Sequence, residues 1–355
     1  MRRKRRIILI VLPALVLAGL LILAWSWHSR LYTVTVLPRL GTQVVVPCSI
    51  NDRGQIVGVC QGRFYLWERG RDWQELGRAT SGGLHINNAG QIAGTIDDPN
   101  GGAQAFLWDP NEGLTMLGTL GTGMSTARAL NNRGQIVGDC WKTPGAGQVF
   151  LWDKAQGMRA VRGVDGLAIA LNDAGQVIGY RGVRIQGREV VQRFLWQPGA
   201  DGSMKETPLP AGALDGLNDN GYVLGQVFNF DKQRQYAFIW RQGCGIEWLF
   251  SLENQNARVV ALNDANQVAV CEEASSGWLQ RLMRWRFGPY KESFVWTPGR
   301  GRVFLDGYVV DRRGEYLTIC GMNNRGCIIG TVGLPGRSEG QRAVLLEPIP
   351  ARWGK

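Results

Sequence analysis

The sequence predicts an all-β chain folded as a seven-bladed β-propeller of four-stranded blades, closed by a strand from the N-terminus. Two short phrases recur along the chain, seven times each, the last copy of the second being decayed. The turn glycines of the first phrase, with Asn266 in place of one, lie 36 to 60 residues apart, a spacing typical of propeller blades. The copies of the first phrase occupy residues 50–58, 86–94, 130–138, 171–179, 217–225, 262–270 and 322–330.

Each repeat is predicted to contain four short strands joined by hairpins. In the first phrase, typified by Ile-Asn-Asp-Arg-Gly-Gln-Ile-Val-Gly at residues 50–58, Asn bonds its own backbone and Gly accepts positive φ, so a tight turn is expected. The second phrase, typified by Phe106-Leu107-Trp108, ends a strand. Regular recurrence of Trp at that place favours packing between blades over carbohydrate stacking. These tryptophans are Trp67, Trp108, Trp152, Trp196, Trp240 and Trp296.

The two ends of the array indicate how it closes. The last repeat finishes at Leu346, after its third strand, whereas residues 32–37 precede the first turn as a fourth strand would. A linear β-solenoid would also bury such repeats, but an orphan strand at one end and a vacancy at the other favour a ring. We therefore expect the propeller to occupy residues 31–350, followed by a tail at 351–355.

The two phrases resemble the HAF-type extracellular repeat family of bacteria. Ala105-Phe106-Leu107-Trp108-Asp109 matches that family's second phrase, and residues 114–121 are similar to the segment that follows it. The resemblance covers about residues 32–348 and implies an exported β-propeller. It implies no catalytic residues.

Residues 1–30 are predicted to form a cytoplasmic basic segment and a transmembrane signal anchor. Five cations precede an uncharged run at residues 7–29, whose first 19 residues approach the length of a membrane-spanning helix. The positive-inside rule places the N-terminus in the cytoplasm. We expect a single-pass protein of the bacterial cytoplasmic membrane, with the propeller on the periplasmic or extracellular side. A signal peptide cleaved near Ala24 or Ser26 is the alternative.

The charge distribution argues against nucleic-acid binding. The formal net charge is +11, but six cations lie in residues 1–30, which leaves +5 for the exported part. The seven cysteines are odd in number and show no Cys-x-x-Cys spacing, so most are expected to be small buried side chains. No cofactor or metal is expected, because each Asn-Asp turn offers too few oxygens for calcium. The aspartates of these turns are Asp52, Asp173, Asp219 and Asp264.

No catalytic motif is present, and we predict no catalytic residue. Aligning the repeats places two successive positions of each innermost strand at the mouth of the central channel, and most of them are small or apolar. The exceptions are His85, Arg128 and Asp215, which are candidate ligand-binding residues. A solvated or mutually paired set of side chains in a wet channel is the alternative.

The sixth repeat carries an insertion between its second and third strands. Apolar residues recur there at three- and four-residue spacing among arginines, which indicates a short basic amphipathic helix that docks on a membrane or a partner. A loop folded over its own propeller is the alternative. The candidate docking residues are Trp278, Arg281, Leu282, Arg284 and Trp285.

These features predict a membrane-anchored, exported β-propeller that serves as a ligand-binding or protein-interaction scaffold. Its partners would be the membrane, through the N-terminal helix, and a protein or a glycan. A hydrolase or lyase acting on an extracellular polysaccharide through the propeller channel is the alternative function, by analogy with other propellers. The lone Asp215 among the inner positions favours binding, because glycoside hydrolases use paired carboxylates.

Overall fold

A computed structural model describes residues 31–79, 83–97, 102–121, 123–141, 147–185, 187–199, 204–252, 257–273, 291–309, 315–334 and 340–350. Within these ranges, 28 strands form seven four-stranded antiparallel sheets. Each sheet is a blade of a propeller. The predicted seven-bladed, all-β architecture is confirmed.

In blades 1 to 6 the four strands follow one another in the order of the chain, from the channel outward. Blade 1 consists of β2 (Val46–Ile50), β3 (Ile56–Cys60), β4 (Arg63–Trp67) and β5 (Gln74–Arg78). Blade 2 consists of β6 (His85–Ile86), β7 (Ile92–Asp97), β8 (Ala103–Asp109) and β9 (Gly113–Gly118). Blade 3 consists of β10 (Met124–Leu130), β11 (Ile136–Trp141), β12 (Gly147–Asp153) and β13 (Gly157–Asp165).

The next three blades repeat this order. Blade 4 consists of β14 (Leu167–Leu171), β15 (Val177–Ile185), β16 (Arg188–Pro198) and β17 (Met204–Pro208). Blade 5 consists of β18 (Ala213–Leu217), β19 (Val223–Asn229), β20 (Arg234–Arg241) and β21 (Gly245–Leu252). Blade 6 consists of β22 (Arg258–Leu262), β23 (Val268–Glu273), β24 (Lys291–Thr297) and β25 (Gly301–Phe304), and a short helix α1 (Asp306–Val309) follows it.

Blade 7 is built from both ends of the chain, as predicted. Its inner strands are β26 (Tyr316–Met322), β27 (Ile328–Gly333) and β28 (Arg342–Pro348), and its outer strand is β1 (Tyr32–Val36). The β1–β28 register runs from the pair Tyr32–Pro348 to the pair Val36–Val344. The N-terminal strand therefore closes the ring.

The core lies between the blades. The buried apolar residues that the structure describes form seven clusters, one for each pair of neighbouring blades. Trp67, Trp152 and Trp196 are buried in these clusters, and the other three tryptophans of the second phrase pack against them half-buried. Their predicted role in packing between blades is confirmed.

Two glycine positions of the first phrase are required for different reasons. Gly134 ends its turn with φ of 75°, and Asn266, at the equivalent position, adopts φ of 57°, as Asn tolerates. Gly138 ends its copy of the phrase where a Cβ would lie 2.1 Å from the carbonyl oxygen of Thr126 and 2.5 Å from the ring of Phe150. Gly134 is needed for its positive φ, and Gly138 is needed because the neighbouring strands leave no room for a Cβ.

Among the described residues, no helix is long and apolar enough to cross a membrane. Residues 1–30, which carry the predicted anchor, lie outside the described ranges, as do residues 351–355. The anchor therefore stays a prediction.

Candidate functional site

The central channel holds a cavity of about 360 Å³. It is lined by the innermost strands of the blades and by the Asn turns that end them. We call the end of the propeller that carries these turns the turn face, and the opposite end the crossover face. A second cavity, of about 370 Å³, lies towards the crossover face and is lined mainly by residues 126–128 of β10 and 167–169 of β14. It shares His85, Arg128 and Ile169 with the first.

A β-bulge recurs in the innermost strands, and three of the bulged residues, Arg128, Ile169 and Asp215, line the cavity. Six of the seven innermost strands have a register shift three residues before the turn Asn, and the described part of β6 is too short to show one. A bulged residue is left out of the ladder, so its side chain is free to be re-aimed. The bulged residues are Cys48, Arg128, Ile169, Asp215, Val260 and Cys320.

The three candidate residues line the same cavity. Arg128 and Asp215 are bulged residues of β10 and β18, and His85 begins β6. In blade 2 the residue equivalent to the bulged ones is Leu84, which is buried, so the adjacent His85 meets the channel instead. The structure thus brings together residues 43 and 87 positions apart in the chain.

Arg128 is held in place by Asp139 on the neighbouring strand β11. Its Nε donates to Asp139 Oδ2 at 2.6 Å, and Asp139 is fully buried. The other oxygen, Oδ1, accepts the backbone N–H of Ala168 in blade 4 at 2.8 Å. Burial raises the pKa of Asp139, whereas these two hydrogen bonds lower it. The alignment of repeats did not identify Asp139 as a site residue.

Asp139 belongs to a set of side chains that link one blade to the next. The bulge leaves the N–H of the residue before it without a ladder partner, and at four of the seven blade junctions a side chain from the second strand of the preceding blade accepts that N–H. In the last pair of blades the equivalent residue is Pro47, which has no N–H to satisfy. The accepting groups are Thr95 Oγ1 for Ala127, Asp139 Oδ1 for Ala168, Gln226 Oε1 for Val259 and Cys271 Sγ for Ile319.

The pKa values of two candidate residues, His85 and Asp215, differ from those of the free side chains. Burial, together with the nearby charge of Arg128, lowers the pKa of His85 to about 4, so its imidazole is neutral at pH 7. Burial raises the pKa of Asp215 to about 6, against the opposing effect of Arg258. The Oδ2 atom of Asp215 is buried and has no hydrogen-bond partner in the part of the chain that the structure describes.

Two closed rings of hydrogen bonds encircle the channel at the turn face. In the first ring, the side-chain Nδ2 of each turn Asn donates to the carbonyl of the turn Asn in the next blade, at 2.8 to 3.3 Å. In the second, the N–H of the following residue donates to the side-chain oxygen of its counterpart in the next blade, at 2.7 to 3.0 Å. The residues of the first ring are Asn51, Asn87, Asn131, Asn172, Asn218, Asn263 and Asn323.

The second ring explains why aspartate recurs in the turns. Its members are Asp52, Asn88, Asn132, Asp173, Asp219, Asp264 and Asn324, so either residue type supplies the acceptor oxygen. Burial, and the neighbouring Asp173 and Asp264, raise the pKa of Asp219 to about 6, although a backbone hydrogen bond opposes them. The described residues contain no group of three or more His, Cys, Asp or Glu able to hold a metal ion.

All seven cysteines are described, and none forms a disulfide. Three are buried, three are half-buried and Cys244 is exposed. The expectation of mostly buried thiols thus holds fully for Cys60, Cys140 and Cys327 and in part for Cys48, Cys271 and Cys320.

The candidate docking residues of blade 6 lie outside the described ranges. The strands around the insertion reach Glu273 in β23 and begin at Lys291 in β24. These two residues pair at the crossover face and leave residues 274–290 between them. The roles of Trp278, Arg281, Leu282, Arg284 and Trp285 stay predictions.

The chain is similar in fold to solved β-propellers. No family model matches it, and no curated protein does. The β-propeller domain of the Trilobed protease from Pyrococcus furiosus, described as having an open velcro topology, is 10% identical, with 86% of this chain and 96% of that chain covered and a TM-score of 0.57. An acylaminoacyl peptidase in complex with Z-Gly-Gly-Phe-chloromethyl ketone is 9% identical, with 76% and 45% covered and a TM-score of 0.50. A gluconolactonase from Xanthomonas campestris is 10% identical, with 91% and 92% covered and a TM-score of 0.42.

At these identities the likeness shows the β-propeller fold alone. It does not bear on the HAF-type resemblance, which stays a prediction.

Proposed function

We propose that the protein is an exported, membrane-anchored binding module whose channel holds a small polar ligand. The observation that carries the proposal is the buried Oδ2 of Asp215, which has no hydrogen-bond partner among the described residues. Asp215 lines the same cavity as Arg128 and His85. A buried carboxylate oxygen without a partner costs free energy. A bound ligand with a hydrogen-bond donor would remove that cost.

The polysaccharide hydrolase or lyase is less well supported. Glycoside hydrolysis uses two carboxyl groups that flank the scissile bond. Asp215 is the only acid among the bulged residues, and the turn aspartates accept backbone N–H groups of neighbouring blades. This arrangement favours binding over hydrolysis.

The direction of the strands supports one orientation at the membrane. Tyr32 pairs with Pro348, and the N–H of Ile349 donates to the carbonyl of Leu31, so the chain enters the propeller at the turn face. An anchor at residues 7–29 would therefore hold the turn face towards the bilayer. The second cavity and the insertion of blade 6 would face away from it, which favours a protein or glycan partner over the membrane for Trp278 and Trp285.

Export can be tested with reporters. A phosphatase fused after Lys355 should be active, because the positive-inside rule keeps the arginines and Lys4 inside. An inactive phosphatase, together with an active cytoplasmic reporter at the same site, would overturn the proposed topology.

Binding can be tested by filling the channel. Ala170 lines the cavity, and Ala155 lies on an exposed turn of blade 3. Full-length wild-type protein and the variants Ala170→Trp and Ala155→Trp would be purified under native conditions, and any small molecules they release on denaturation would be identified by mass spectrometry. We expect a molecule that is retained by the wild type and by Ala155→Trp but lost from Ala170→Trp. Equal retention by all three, or retention by none, would contradict the proposal.

A further inference from the structure

We propose that the channel ligand is a small zwitterion, such as an amino acid, whose carboxylate binds Arg128 and whose ammonium group binds Asp215. This inference rests on the proposed binding function and specifies its ligand class. It is carried by the geometry of Arg128, the unpartnered oxygen of Asp215 and the distribution of charge around the cavity.

Arg128 is positioned as an anion-binding group. Asp139 occupies only its Nε and is itself fixed by the N–H of Ala168, so the guanidinium plane has a defined orientation. The side chain is 42% exposed and lines both cavities. The remaining N–H donors have no partner among the described residues, and their fork matches a carboxylate held by two parallel hydrogen bonds.

Asp215 requires a donor in return. An ionised carboxylate only accepts hydrogen bonds, and its Oδ2 is buried with none among the residues that the structure describes. Asp215 lies on β18 and Arg128 on β10, with β14 between them. The residues of β14 that line the cavity next to them are Ile169 and Ala170, so the two polar groups are separated by an apolar wall.

The charge around the cavity excludes simpler ligands. Arg128 is the only cationic side chain among the described lining residues, whereas five aspartates line the cavity. Three of these, Asp173, Asp215 and Asp219, lie in blades 4 and 5. His85 beside Arg128 is neutral at pH 7 and adds no positive charge. A ligand with several anionic groups would be repelled, and an amine without an anionic group would leave the remaining N–H donors of Arg128 without an acceptor.

The test compares linear ω-amino acids of two to eight carbons with the carboxylic acids and the amines of the same chain lengths. Binding to full-length protein in nanodiscs would be measured by calorimetry at pH 7. We expect the best ω-amino acid to bind at least about tenfold more tightly than the matched acid and the matched amine. The acid leaves Asp215 without a donor, and the amine leaves the remaining N–H groups of Arg128 without an acceptor. Equal binding of an acid or an amine would overturn the inference, and so would the absence of binding by every ω-amino acid.

Two variants assign the two ends of the ligand. Arg128→Gln should remove the preference for the ω-amino acid over the amine, and the isosteric Asp215→Asn should remove the preference over the acid. Arg159→Gln is the matched control, because Arg159 pairs with Asp153 in the same blade, also at 2.6 Å, but away from the channel. Unchanged preferences in the two channel variants would overturn the assignment, and the Asp215 variant decides the case if Arg128→Gln fails to fold.

The test separates this inference from the proposed function. If no ω-amino acid binds but the channel-filling experiment still identifies a retained molecule, the ligand class is wrong and the binding function stands. If both experiments give nothing, the binding function is wrong as well.

Discussion

Asp215 is a residue whose position in the fold opposes its ionisation. Its folded-state pKa of about 6 lies above the value of an unfolded chain, so the folded protein binds the proton more strongly. The stabilisation of the folded state that this tighter proton binding provides is complete below about pH 4 and is lost as the pH rises through about 6. At neutral pH the ionised Asp215 is therefore destabilising in the absence of a ligand.

We predict that Asp215→Asn stabilises the ligand-free protein at pH 7.5 by about 1 to 3 kcal/mol, since it removes the cost of the buried charge. The gain should vanish near pH 4, where the wild-type carboxyl is protonated. Urea unfolding at both pH values measures it, with the exposed Asp231→Asn as control. A gain of equal size at both pH values would contradict the role of ionisation.

His85 should show the opposite dependence on pH. Its pKa is lowered to about 4, so the stability that this gives is complete above about pH 6.5 and is lost as the pH falls through about 4. We predict that His85→Gln, which cannot take up a proton, loses less unfolding free energy than the wild type between pH 6.5 and pH 4. Urea unfolding over this pH range measures the difference between the two proteins. Parallel plots of unfolding free energy against pH would show that His85 titrates normally.

The sequence predicts site residues only where the repeats can be aligned. His85, Arg128 and Asp215 stand out because their counterparts in other blades are mostly small or apolar. Asp139 does not stand out, since Thr, Gln and Cys occupy its position in blades 2, 5 and 6 and perform the same backbone contact. Its function depends on a bulge in the neighbouring blade, which no single repeat encodes.

The bulge and the glycine opposite it form the structural element that recurs in most blades. In blades 2, 3 and 5 the last glycine of the first phrase leaves room for the Phe of the third strand, because a Cβ there would lie 2.5 to 2.8 Å from the Phe ring. The hairpin turns were predictable because Asn and Gly have defined backbone preferences. The bulge was not, because it depends on a register between strands and no residue type marks it.

We predict that Gly138→Ala destabilises the protein by about 2 kcal/mol or more, because the added Cβ meets both the carbonyl of Thr126 and the ring of Phe150. Gly307→Ala is the control, since its Cβ would meet nothing within 4 Å. Thermal unfolding of the two variants compares them directly. Equal melting temperatures would show that the blade relaxes around the added methyl group.

At the scale of the whole molecule, ring closure depends on β1. Tyr32 is 1% exposed and its ring meets Tyr308 at a centroid distance of 5.9 Å, so β1 contributes to the core between blades 6 and 7 as well as to the sheet. Without it, blade 7 would expose the edge of β28. The closing strand was predictable because the array is one strand short at one end and one strand long at the other.

We predict that removal of residues 31–38 lowers the melting temperature by about 10 °C or more, or causes aggregation, through loss of Tyr32 and exposure of β28. Removal of residues 351–355 provides a control deletion. Calorimetry and light scattering would measure both effects. An unchanged melt after loss of residues 31–38 would mean that the propeller is stable as an open array.

The two rings of hydrogen bonds at the turn face run head to tail in one rotational sense, and the junction between blades 7 and 1 uses the same bonds as every other junction. The hydrogen bonds of the rings therefore do not depend on where the polypeptide starts. A circularly permuted chain, cut in the connection between β17 and β18 and joined from residue 350 to residue 31 by a short linker, retains every member of both rings. Such a permutant should fold to the same propeller, with new termini at the crossover face.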